Sequence, residues 1–228
     1  MIVAVHQPNF LPWLGYFSKI ANADVFVFLD DAPFSKGSYT NRVQIRCARG
    51  MQWLTVPVLT AGRLGQSIQS VKCDDSKPWR KKVVGSLQSS YGRSKHYRDY
   101  VDGVCSHIEF GYTNLVDLNV ALVCHLLRVL QIDNKVVRSS SLDVSGESTD
   151  RLVEICSSLG GTTYLSGLGG LNYQLEETFT EASIELVYST YRPVADKQRF
   201  SDFIPGLSVV DSLFNYGQST KELLNANC

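Results

Sequence analysis

The sequence has no charge of either sign to spare: 22 Lys and Arg meet 22 Asp and Glu across 228 residues, giving a net charge of 0 and a pI near 6.9. Affinity for nucleic acid rests on surplus cations, so no nucleic-acid partner is expected. Long apolar runs are missing too. The most apolar stretch, residues 115–132, is broken by Asp117, Asn119, His125 and Arg128, which excludes a bilayer span. The opening MIVAVHQPNF has no basic segment and only a five-residue apolar run, so it is not read as a secretion signal. Six cysteines, at 47, 73, 105, 124, 156 and 228, form no C-x-x-C pair and no zinc-type spacing. The pairs Cys105/His107 and Cys124/His125 fall at helical offsets whose side chains diverge, so no metal is expected. A cytoplasmic protein with reduced thiols, inserted in no membrane, is the expectation. Repeats, low-complexity tracts and linkers are absent as well.

What is present reads as an ordinary folded interior, with 44% hydrophobic and 19% charged residues. Ile2–Val5 suits a short buried strand. The segment His6-Gln-Pro-Asn-Phe-Leu-Pro-Trp13 must be a loop, because its two prolines do not both fit regular structure. Leu14, Phe17, Ile20 and Ala21 then recur at helical spacing, and residues 24–29 form a second buried strand ending in Asp30-Asp31. A βαβ unit this compact implies parallel strands with a right-handed crossover. Ligands in such sheets bind outside the carboxyl ends of the strands, where His6 and Asp30 lie.

Between residues 41 and 58 the period changes to two, predicting a hairpin, with Pro57 marking an edge or bulge. Residues 67–73 alternate again and are expected to be extended. Helices are predicted over 76–90, 97–108, 114–131, 149–159 and 208–214, and short strands over 135–138, 163–166 and 184–188. The expected fold class is α/β: one domain over residues 1–228, a mostly parallel twisted sheet flanked by helices, an antiparallel β-hairpin insert at about 41–73, and a helical segment at about 76–131.

His6 is the first chemical candidate, since imidazole titrates near neutrality and suits general-base work. Structurally, a lone histidine after a strand is commonly just packed. Asp30, with Asp31, could orient it, bind Mg2+ or hydrogen-bond a hydroxyl, although a carboxylate there also suits a turn cap. Gln7 adds a polar contact. Lys36, Asn41 and Arg42, with Arg46 and Arg49, make a locally cationic cluster able to hold phosphate or carboxylate, Arg by a bidentate fork; the bland reading is a solvated hairpin face. Phe10, Trp13, Tyr16, Phe17, Tyr188 and Tyr191 offer rings for stacking on a sugar or base, unless they are core. Asn215, at the end of the last helix, either serves the site or caps the helix.

With these residues in view, the chain resembles the WbqC-like proteins. The likeness runs through HQPNFLPWLGYFSKI at 6–20, ADVFVFLD at 23–30, FSK at 34–36, Asn41-Arg42, WLTVPV at 53–58, YLSG at 164–167 and DSLFNYG at 211–217. Two departures stand out: Ala32-Pro33 replaces the family's usual Val-Gln, and Tyr39 replaces a frequent Trp. The resemblance implies a bacterial protein of surface-polysaccharide (O-antigen) or related biosynthesis. With it, the expected function is transfer of an acyl or aminoacyl group to a sugar amine or hydroxyl. His6 would deprotonate the nucleophile, Lys36 and Arg42 would hold a phosphate, and the implied partners are a small-molecule sugar or nucleotide-sugar and a CoA-type donor or acyl carrier protein. Two alternatives stand beside it: a non-catalytic module binding a sugar nucleotide or partner, and nucleotidyl transfer. The last echoes enzymes with an F-x-P-x-H-x-G-H signature, but Trp13-Leu-Gly-Tyr16 stands where the paired histidines belong.

Overall fold

The computed structural model describes residues 1–63, 65–193 and 202–224. Five parallel strands form the main sheet: β1 (Ile2–His6), β2 (Val25–Phe28), β5 (Lys135–Arg138), β6 (Thr163–Ser166) and β7 (Glu185–Tyr188). Their order is β5-β2-β1-β6-β7. The chain winds outward from β1 through β2 to β5, then crosses back to the other side of β1 for β6 and β7. The direction of winding therefore reverses between β1 and β6. At such a point the connections leave in opposite directions and open a crevice.

Helices cover both faces, so the central strands read as near-continuous apolar runs. Alternation along the strand splits β1 between two cores. Ala4 faces the larger one, built with α1 (Leu14–Ala21), α2 (Trp79–Tyr91), α3 (Tyr97–Glu109), α4 (Leu115–Val129) and α7 (Val209–Tyr216). Val3 and Val5 face the smaller one, with α5 (Ser148–Ser158) and α6 (Glu176–Glu181). Gly161 is needed where α5 returns to the sheet: a Cβ there would stand 2.5 Å from Cys156 Sγ and 2.7 Å from Val3. Among the described residues no helix is long and apolar enough to cross a membrane.

The hairpin insert forms its own two-stranded sheet from β3 (Arg42–Cys47) and β4 (Gly50–Thr55). Cys47 pairs with Gly50, closing a two-residue turn in which Gly50 takes φ +109°. Residues 67–73 are not the extended segment their alternation suggests. Ser67, Lys72 and Cys73 each bridge a different partner, at Pro33, Asn114 and Val58, so no continuous ladder forms, and Ile68–Ser70 curl into a 3-10 turn. The helix predicted from residue 76 starts at Trp79, behind Pro78. The six-residue α6 has too little periodicity to be foreseen; it is held by Phe179, which stacks on Tyr164 at 5.0 Å.

Candidate functional site

The crevice lies between the carboxyl ends of β1 and β6, in two adjoining parts of about 250 and 370 Å3. His6, Lys19, Gly167 and Gly169 line both parts. The loop that follows β1 is held from three sides. Phe10 N–H donates to the Tyr39 carbonyl (3.0 Å), Ser208 Oγ to the Leu11 carbonyl (2.7 Å) and Val209 N–H to the Pro12 carbonyl (2.8 Å). Leu11 sits at φ +43°, a left-handed conformation that leucine adopts only under such constraint.

This anchoring sets His6 between two rings, edge-on to Trp13 at 5.8 Å and to Tyr16 at 4.9 Å between centroids. Its Nδ1 is 3.1 Å from the Gln7 carbonyl, which also accepts from Tyr16 Oη at 3.1 Å. If Nδ1 carries the proton and donates there, Nε2 is left as an acceptor. Burial, assisted by the Lys19 charge, holds the imidazole pKa down to about 3. His6 is thus neutral throughout the physiological range.

Lys19 was not singled out from the sequence. It lies on α1, whose residues 16–20 are all buried, so its ammonium is largely withdrawn from water at the wall of the crevice. Nζ donates to the Val5 carbonyl at 2.8 Å, and no ion pair to it forms among the described residues. Burial pulls the amine pKa down to about 7. The sequence signal for it is weak: it is the lone charge in an eight-residue helix. Opposite stands the glycine-rich loop after β6. Gly167 and Gly169 leave open space, while Gly170 packs against Ser166 and Gln174, whose Oε1 is sealed from water without a partner. Gly15 lets Trp13 and Tyr191 close over the start of α1; a Cβ there would stand 2.7 Å from the Tyr191 ring.

The other polar candidates read from the sequence divide between the crevice and the structure around it. Asp30 is fully buried, and its carboxylate accepts from Ser139 Oγ (3.1 Å), Ser140 N–H (3.0 Å) and Ser140 Oγ (2.8 Å). These bonds tie the end of β2 to the turn after β5; the imidazole takes the Gln7 carbonyl instead. Asp31 pairs with Arg151. Gln7 lines the crevice, and its Oε1 accepts from Thr40 Oγ1 at 3.2 Å. Asn41 is buried, donating to the Val56 carbonyl and accepting from Gly37 N–H. Arg42 lies over Trp53, its Cζ 4.2 Å from the ring centroid. Lys36 is exposed and adjoins Gly37, whose position lies against the Arg42 guanidinium. Tyr188 faces a groove of about 480 Å3 along β6 and β7 that joins the crevice at Ser189. Asn215 Nδ2 donates to the Asp211 carbonyl within α7.

His6 and Arg42 are linked through rings rather than by contact: Trp13 to Tyr39 is 5.3 Å and Tyr39 to Trp53 is 6.0 Å. His107 and His125 approach to 5.1 Å, yet among the described residues no group of three or more His, Cys, Asp or Glu is arranged to hold a metal. Cys228 lies outside the described residues.

Chemically, the crevice joins a neutral imidazole acceptor, an amine whose pKa burial draws down to about 7, and a glycine-rich loop that leaves open space. Set against known proteins, residues 7–223 match the model of the WbqC-like protein family. The chain is also similar to the uncharacterized protein Rv1507c of Mycobacterium tuberculosis, with 33% identity over 224 residues covering 97% of this chain and 96% of that one. No solved structure matches it significantly.

Proposed function

Because the chain belongs to the WbqC-like protein family, we propose that it is a transferase of bacterial surface-polysaccharide (O-antigen) biosynthesis, moving an acyl or aminoacyl group onto a sugar amine or hydroxyl. The reaction runs in the β1/β6 crevice, on the cytoplasmic side, from a thioester donor of the CoA or acyl-carrier type. One observation carries the reading: at the reversal point of the sheet a buried lysine, its Nζ donating to the Val5 carbonyl, and a histidine line the same crevice, and burial draws the amine pKa down to about 7.

The division of labour follows from those two proton affinities. A base must hold the proton it takes, and an imidazolium of pKa about 3 does not. His6 Nε2 is therefore the acceptor that aims the nucleophile's N–H or O–H, and Lys19 is the base. The acceptor nitrogen or oxygen forms its bond to the thioester carbonyl carbon, and the C–S bond breaks. The nucleophile's proton passes to Lys19 Nζ and from there to the leaving thiolate, so the products are amide or ester and free thiol. A thiol titrates at roughly 8.5, so an ammonium of pKa about 7 gives up its proton to a thiolate readily.

The test is turnover of acetyl-CoA and glycyl-CoA with a panel of amino sugars and deoxysugars, read by thiol release and by the mass of the sugar product. The wild type is expected to show kcat/KM rising through about pH 7 to a plateau. Lys19→Met should remove the reaction, and His6→Ala should lower it by ~100-fold, the scale of one positioned proton-handling group. Product formation equal in all three proteins would refute the assignment. Tight binding of a sugar nucleotide without turnover would establish the binding-module alternative, and consumption of nucleoside triphosphate with Mg2+ would establish nucleotidyl transfer.

A further inference from the structure

The outer face of the hairpin and the rim of the crevice share one continuous feature. Period-two alternation puts Arg42 and Gln44 of β3 on the same face as Met51, Trp53 and Thr55 of β4, with Gln44 directly opposite Trp53. Trp53 is 42% exposed and Met51 52%. Tyr39, also 42% exposed, sits 6.0 Å from Trp53 between centroids and 5.3 Å from Trp13. Trp13 in turn forms part of the crevice wall and lies 5.8 Å from His6. Three rings thus lead from the outer hairpin face to the imidazole.

We infer that this aromatic strip is a landing surface for a saccharide chain, so that the acceptor sugar enters the crevice as the end of an oligosaccharide and not as a lone nucleotide-activated monosaccharide. The inference rests on the reading of the crevice as the place where a sugar is modified, and it names the substrate class. A pyranose presents a face of C–H groups, slightly positive, to the negative face of an aromatic ring, and carries its hydroxyls around the edge. The strip offers both partners: the exposed parts of the Tyr39 and Trp53 rings, the latter backed by the Arg42 guanidinium, and polar edges in Gln44 and Thr55 on the same hairpin face. Successive rings are inclined by 54° and 50°, so the surface turns stepwise. A chain of linked sugars follows such a turn, because each residue is a separate plate on flexible linkages. A nucleobase is a single plate best gripped between parallel rings, a geometry absent from these pairs. Arg42 is committed to the Trp53 ring, and its Nε is sealed without a partner, so it steadies the platform.

The experiment is an array of linear neutral oligosaccharides of one to eight hexose, N-acetylhexosamine and deoxyhexose residues, probed with the full-length protein. Titration of hits follows the fluorescence of Trp13 and Trp53; Trp79, the third tryptophan, is buried. Chains of three or more residues should bind at least tenfold more tightly than their monosaccharides, and Tyr39→Ala and Trp53→Ala should each weaken them about tenfold. Tyr39 is a loop residue whose replacement leaves the hairpin ladder intact, so it keeps the test alive if Trp53→Ala fails to fold. Equal binding of monomer and chain, silence across the array, or a response to UDP alone would overturn the inference. Turnover without chain binding sinks the strip and spares the catalytic reading, and chain binding without turnover does the reverse.

Discussion

Replacing Lys19 by Met should make the protein more stable and, on the proposal above, inactive. The amine ordinarily loses its proton near 10.5 and does so here near about 7, because burial penalises the cation. At 1.36 kcal/mol per pH unit, keeping that charge in place below pH 7 costs the fold at most about 5 kcal/mol. The sign follows from proton binding. Between about pH 7 and 10.5 the unfolded chain holds a proton that the folded chain has released, so wild-type stability climbs with pH across this window and is lowest below it. Methionine has similar reach, is apolar and carries no such penalty. It forfeits only the hydrogen bond to the Val5 carbonyl, worth about 1 kcal/mol. Urea unfolding at pH 6, 8 and 10 should therefore find Lys19→Met ahead by several kcal/mol at pH 6. The gap should narrow at pH 8, and the two proteins should lie within about 1 kcal/mol of each other at pH 10. A variant that is less stable at pH 6, by an amount that does not change with pH, would show that Lys19 is an ordinary hydrogen-bonding residue and would remove the base from the mechanism.

Three further outcomes follow from the packing. Asp30→Asn should cost about 1.5–3 kcal/mol, the range for hydrogen bonds to a charged group, because its carboxylate accepts three bonds from Ser139 and Ser140; the pH profile of turnover should stay where it is, and a displaced profile would return Asp30 to the mechanism. Tyr91 Oη accepts from Arg46 N–H (2.9 Å) and donates to Asp211 (2.7 Å) in the interior, so Tyr91→Phe should lower stability by about 1–3 kcal/mol in urea; a change within error would mean the buried groups find other partners. Gly161→Ala should cost about 1–3 kcal/mol through overpacking against Cys156 and Val3, whereas Gly169→Ala, facing open space, should melt with the wild type; equal melting of both variants would contradict the packing described.

Local chemistry alone was enough for much of the architecture. Alternating and continuous apolar runs marked the strands at 2–5, 24–29, 135–138 and 163–166, because a strand buried on both faces has few polar positions to spare. The same logic located the hairpin from its period of two and the long helices from their apolar stripes. It also placed His6 at a strand end, where it lines a crevice. The sequence could not say which strand would lie beside β1. Only the crossover that sets β6 there makes the crevice and brings Gly167–Gly170 opposite the imidazole. Nor could it say which polar groups would be occupied. Asp30 reads as a catalytic carboxylate until Ser139 and Ser140, over a hundred positions away, take its oxygens. Lys19 reads as a solvated cation on a short helix until the packing around α1 leaves it only 5% exposed. Propensity and periodicity are properties of neighbouring residues, and they determine which segments become strands and helices. Desolvation and hydrogen-bond satisfaction depend on whatever else fills the space, and so the reactivity of this site was decided by tertiary structure.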